Sequence, residues 1–165
     1  MSNEKIIQDL FSELEDIHPI TRKQAIKSLT DLGDKSVIPR LIEIMKNDTA
    51  PSVRQAVAQA FQKGLSDNIC VPDLIKILKD PDAAVRGAAA AALGAIKDKT
   101  ASPYLCEALK DDSEHVRWTV ISHIAKIGDK AAINPLKELI DNPEEVQNIK
   151  DAAREALRQI RIATN

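Results

Sequence analysis

The sequence predicts an all-α chain, a solenoid of five stacked two-helix repeats. Its internal spacing carries this first. Arg22, Arg54, Arg86 and Arg117 stand 32, 32 and 31 positions apart, and Asp16, Asp48, Asp80 and Asp111 keep the same steps, each six residues ahead of its arginine. The second observation is a matching proline series, Pro39, Pro72, Pro103 and Pro135, at steps of 33, 31 and 32. Coincident series at such periods are the signature of repeat architectures. The third is composition. Hydrophobic residues make up 44% of the chain, yet its aromatics are only Trp118, Tyr104, Phe11 and Phe61. Such a core is aliphatic and Ala-rich, suits closely spaced helices, and shows no period-2 alternation of the kind strands need.

The elements follow in order. The approximate repeats are 3–32, 34–64, 67–97, 98–128 and 129–162, within one domain spanning 1–165. Helix A of the first repeat buries Ile6, Ile7, Leu10, Phe11 and Leu14; its helix B carries Ala25, Ser28, Leu29 and Leu32 behind Arg22. The second B helix carries Val53, Ala56, Val57, Ala60 and Phe61, and the third Val85, Ala88, Ala89, Ala92, Leu93 and Ile96. In the fourth repeat Asp98 or Thr100 caps helix A and Pro103 falls in its first turn, where its missing N–H is harmless. An Asp111-Asp112-Ser113 turn then leads into Val116, Val120, Ile124 and Ile127, one helical stripe. The fifth fits after a three-residue insertion before Ile149, with Asn142 and Lys150 in place of the ladder aspartate and arginine. Both ends carry charged outer faces, as finished solenoid ends do.

The segments Gly33 to Ile42, Leu78-Lys79-Asp80-Pro81-Asp82-Ala83-Ala84-Val85-Arg86 and Ala92-Leu93-Gly94-Ala95-Ile96 resemble the short HEAT-like repeat of the phycobilin lyase (PBS lyase) family. The resemblance covers essentially the whole chain. It implies a right-handed α-α superhelix whose B helices line the concave surface. It also implies that the arginines (Arg22, Arg54, Arg86, Arg117) reach the aspartates of adjacent repeats as a structural ladder with Asp16, Asp48, Asp80 and Asp111. The same family includes an iron enzyme, deoxyhypusine hydroxylase, whose repeats carry His-Glu pairs as ligands. This chain has no His-Glu dipeptide.

Charge and motif content narrow the function classes. Lys plus Arg number 23 against 25 Asp plus Glu, so no excess of positive charge points to nucleic acid or an anionic membrane. His18, His115 and His123 never pair at i, i+4 with a third ligand, and Cys70 and Cys106 form no CxxC, so neither metal nor cofactor is expected. The start of the chain opens directly into an amphipathic helix, and a reduced, cytoplasmic setting is expected. No catalytic motif is found, so an enzyme is not expected.

Subtracting the buried stripe from each B helix leaves a candidate binding face. Outward positions on the second helix are Gln55 and Gln59, on the third Gly87, Ala90 and Ala91, and on the fourth Trp118, Ile121 and Ser122. This predicts an apolar trough walled by the chain's single tryptophan, a mark of protein or peptide binding. The expected function is a non-catalytic scaffold that binds a protein or peptide on its concave B-helix face. The alternatives are an accessory subunit of a bilin-handling lyase complex, implied by the resemblance, and, behind that, a nucleic-acid binder.

Overall fold

The structure, a computed structural model, describes residues 3–65 and 67–163. Among these residues there are ten α-helices, joined by short 3-10 and π turns, and no strand. The A helices are α1 (Asn3–Glu13), α3 (Ile38–Asn47), α5 (Val71–Ile77), α7 (Ser102–Ala108) and α9 (Ile133–Asp141). The B helices are α2 (Pro19–Leu32), α4 (Pro51–Ala60), α6 (Ala83–Ile96), α8 (Glu114–Ile127) and α10 (Gln147–Ala163).

Local chemistry sets each boundary. A 3-10 turn precedes four of the A helices, and an aspartate opens each one: Asp34, Asp67, Asp98 and Asp129 accept backbone N–H bonds at 2.7–3.0 Å from Ser36, Asn68, Thr100 and Ala131. Asp98 therefore caps this turn and not α7 itself, which begins at Ser102. Pro39, Pro72 and Pro103 occupy the first turns of α3, α5 and α7, where no N–H is missed. The B helices α2, α6 and α8 end in a left-handed residue, Gly33, Lys97 and Gly128 at φ 68°, 59° and 69°.

The second B helix and its exit are longer by one residue. Arg54 and Asp67 are thirteen positions apart, whereas Arg22–Asp34, Arg86–Asp98 and Arg117–Asp129 are twelve apart. A π turn over Phe61–Leu65 takes up the extra residue at the end of α4, and Gly64 there reaches φ 108°. Local π geometry is how a helix absorbs one inserted residue.

Each A helix packs on the B helix that follows it, and successive B helices (α2, α4, α6, α8, α10) pack directly on one another. The A helices meet their A neighbours only sparsely. The B layer is thus the compact inner layer and the A layer splays outside it. Val53, Val57, Leu93, Val116, Val120 and Ile124, all fully buried, belong to one continuous core.

Candidate binding face and the inter-repeat ladder

The ladder begins in the A–B turns. Asp48, Asp80 and Asp111 each accept the backbone N–H two residues on (Ala50, Asp82, Ser113) at 2.8–2.9 Å, which shapes the turn into the next B helix. The arginine in that helix's first turn then spans two repeats. Arg54 donates from Nη1 to the Asp48 carbonyl of its own turn at 2.8 Å, and from Nε and Nη2 to both carboxylate oxygens of Asp80 in the next repeat at 2.8 and 2.9 Å. Arg22 makes the same pair of connections to the Asp16 carbonyl and the Asp48 carboxylate, and Arg86 to the Asp80 carbonyl and the Asp111 carboxylate. This fork-to-carboxylate geometry fixes direction as well as energy.

Burial by itself would raise the carboxyl of Asp80. The hydrogen bonds from Arg54 and from the Asp82 N–H outweigh it and hold the group below the usual carboxylate range. Asp48 and Asp111 are lowered in the same way, against the same burial, by Arg22 and Arg86 respectively.

The fifth repeat closes the ladder differently. Its acceptor is Glu145, not a residue at the Asn142 position, and it takes a single bond from Arg117 Nη2 at 2.7 Å. The Nε of Arg117 is buried without a hydrogen-bond partner. The longer glutamate meets one edge of the guanidinium, so the two-point fork is lost. At the other end the Asp16 carboxylate accepts the His18 N–H at 2.7 Å and, among the described residues, takes no arginine from a neighbouring repeat.

The expected apolar trough is not exposed. Gly87, Ala90, Ala91 and Ile121 are buried, with Ala90 at 0% and Ile121 at 1% exposure. The reason is lateral packing. The small residues of α6 form the seat for α8, and it is His115 and Thr119 that cover Gly87, at 3.4 and 3.8 Å from where a Cβ would stand. Gly94 is tighter still, because a Cβ there would lie 2.3 Å from the Cβ of His123. The bare stripe on α6 is an interhelix seam that lets two B helices approach closely.

The remaining candidates keep some exposure. Trp118 is 46% exposed, beside Glu114, His115 and Asn148, in a shallow recess between α8 and α10. Asn148 Nδ2 donates to Glu114 Oε1 at 2.7 Å across that recess. Ser122 is half-buried and donates from its hydroxyl to the Trp118 carbonyl at 3.0 Å, which occupies its proton within the helix. Gln55 is half-buried and Gln59 exposed. Gln59 lines a groove of about 340 Å³ between α2 and α4 that sequence reasoning missed. The available signal was Ile20, an isoleucine placed one residue inside a helix start and ahead of Lys23 and Lys27 on the same helix.

His123 carries both ring nitrogens buried and without partners. Burial, with Lys126 nearby, pushes its pKa down to about 4, so the imidazole is neutral at pH 7. Cys106 is pushed up to about 11 by burial and then by Asp129, which leaves it a protonated thiol. Among the described residues no three His, Cys, Asp or Glu side chains gather where a metal could sit, and no helix is long and apolar enough to cross a membrane.

The family of HEAT repeats matches residues 1–62 and 71–158. No curated protein matches the chain. Among solved structures, the complex of CpcE and CpcF of phycocyanin lyase from Nostoc sp. PCC7120 is similar at 25% identity and a TM-score of 0.77, over 93% of this chain and 64% of that one. This chain thus spans under two thirds of that relative's length. Human deoxyhypusine hydroxylase is similar at 18% identity and a TM-score of 0.65, over 97% of this chain and 75% of that one. A designed armadillo repeat protein in complex with a (KR)4 peptide is similar at 20% identity and 0.63, over 90% and 80%. The last two likenesses speak to the fold alone. Paired helices in two layers, joined through arginine–carboxylate rungs and matched by the family over most of their length, make this chain a member of the HEAT repeat family.

Proposed function

We propose that this chain is a non-catalytic interaction scaffold that holds a protein or peptide segment on the face formed by its B helices. Trp118 carries the reading. A tryptophan left 46% exposed on the B-helix layer presents a flat apolar surface that suits an interface anchor. The buried α6 seam supports the rigidity of that face and does not itself contact a partner. The test is affinity capture with wild-type chain and with Trp118→Ala, followed by mass spectrometry. A partner retained by the first and lost by the second, with both equally folded by circular dichroism, supports the reading. Partners indifferent to the substitution remove Trp118 from it.

A second reading is favoured by the likeness to the phycocyanin lyase complex. There the chain would be a subunit of a chromophore-handling lyase assembly. Free bilin mixed with the protein then shows a shifted absorption band, and a spectrum identical to that of free pigment counts against it.

A further inference from the structure

The groove between α2 and α4 has an apolar floor and a basic rim. Ile26 and Ala60 are buried at its base, Ala56 lies half-buried beside them, and Ile20 stands 71% exposed along one wall. Lys23 and Lys27 from α2 face Lys63 from the end of α4, with Asp31 as the one carboxylate of the lining. Three lysines against one aspartate give a local charge of +2 in a chain whose formal net charge is −2. Elsewhere among the described residues, Lys35, Lys46, Lys76, Lys79 and Lys110 meet carboxylates while others, such as Lys126 and Lys137, do not; what sets the groove apart is that three lysines converge on one apolar floor. Among the described residues the three groove lysines form no ion pair. Lys63 reaches the rim from the π turn Phe61–Leu65, the place where the second repeat departs from the others.

From this placement we infer that the groove binds an amphipathic helix of a partner protein, one carrying carboxylates four residues apart beside an apolar stripe. The inference rests on the B-helix reading above and names the site and the chemistry of its occupant. Lys23 and Lys27 stand one turn apart on α2, about 6 Å along its axis. A helix laid beside α2 presents Glu or Asp at the same interval, while its apolar face meets Ile20 and the floor, the helix-in-groove mode. From Ile20 to Asp31 the groove runs about 16 Å at helical rise, room for three turns. Duplex nucleic acid fits less well, since three lysines and no aromatic in the groove make neither a phosphate track nor a stacking surface.

The test is fluorescence anisotropy with a fluorescein-labelled, four-turn helical peptide. It carries Leu at i, i+3, i+4 and i+7 and Glu at i, i+4 spacing along the flanks. Binding to wild type should weaken about tenfold or more in Lys23→Glu/Lys27→Glu and in Lys63→Glu, and should fall with added salt. A peptide with Glu→Lys throughout should prefer the Lys23→Glu/Lys27→Glu chain over wild type. All these positions are exposed, and thermal unfolding checks that each variant folds. Equal affinity for wild type and the lysine variants overturns the inference, as does no binding at millimolar peptide or a preference for duplex DNA with the same lysine dependence. Peptide binding lost in Trp118→Ala but kept in the lysine variants overturns the groove while leaving the B-helix reading intact. The Trp118 capture experiment judges that broader reading separately.

Discussion

Arg54 and Asp80 lie 26 positions apart and meet through two parallel hydrogen bonds at 2.8 and 2.9 Å, with side chains only 10% and 5% exposed. The pair links the second repeat to the third at the edge of the B layer. Arg54→Ala removes the fork and leaves a carboxylate shielded from water. Breaking a buried pair in this way costs about 3 kcal/mol or more, measured as the shift in urea unfolding. Lys79→Ala, whose partner Glu107 is as exposed as the lysine itself, should change stability by less than about 0.5 kcal/mol. Equal losses from the two would show that the ladder is ornamental.

The rungs also set an acid limit. Asp48, Asp80 and Asp111 are held below their ordinary range despite burial, so the folded state binds protons more weakly than the unfolded chain. Their contribution is therefore complete above the unfolded carboxyl value, about 3.9, and is lost as pH falls from there through the folded values. The urea midpoint should drop steeply below about pH 4. Asp80→Asn should start lower at pH 7 and show a shallower acid limb.

His123 acts at higher pH. Its folded pKa is about 4, against 6.5 for the free side chain, with burial as the main cause. Unfolding therefore takes up a proton between those values, and stability falls as pH drops from 6.5 to 4. Its ring protons in NMR should titrate with a midpoint near 4. A midpoint near the free value would mean that the imidazole is hydrated and the α6–α8 seam open.

The two glycines of α6 make a contrast. Gly94→Ala drives a methyl into the Cβ and backbone of His123, atoms that cannot swing away, and should cost about 3 kcal/mol. Gly87→Ala meets the movable tip of the His115 ring at 3.4 Å. There the gain in helix propensity, up to about 1 kcal/mol, should prevail and leave the variant as stable as wild type or more so.

Lys97 ends α6 at φ 59°, where α2 and α8 use glycine. A side chain in that conformation is strained by about 1 kcal/mol. Lys97→Gly should raise the stability by about 0.5–1 kcal/mol, read as an increase in the urea midpoint without change of slope.

Much of the fold was legible in linear order. The ladder arginines, their aspartates and the prolines each recur because every repeat must solve the same local problems: a capped turn, a helix start without a needed N–H, and a bond to the next unit. Local problems leave local marks. The insertion in the second repeat was visible as a step of thirteen from Arg54 to Asp67, but a count cannot say that Phe61–Leu65 absorbs it as a π turn.

The face of the B helices was read less well, and Ile121 and Ala90 show why. A single amphipathic stripe assumes one packing partner. In the stacked layer a B helix has three, its own A helix and a B helix on either side, so positions that point away from the A helix are still covered. Trp118 escapes because it projects beyond that seam, and Gln59, Lys23 and Lys27 because they border a gap between α2 and α4. The sequence alone determined the repeat, its turns and the residues that fasten the first four units to one another, since those depend on neighbours at a constant offset along the chain. The link from Arg117 to Glu145 in the fifth breaks that offset and was not legible. Which outward residues stay outward was decided only by the tertiary stack, because side-chain volume and the spacing between adjacent helices determine what the neighbours cover.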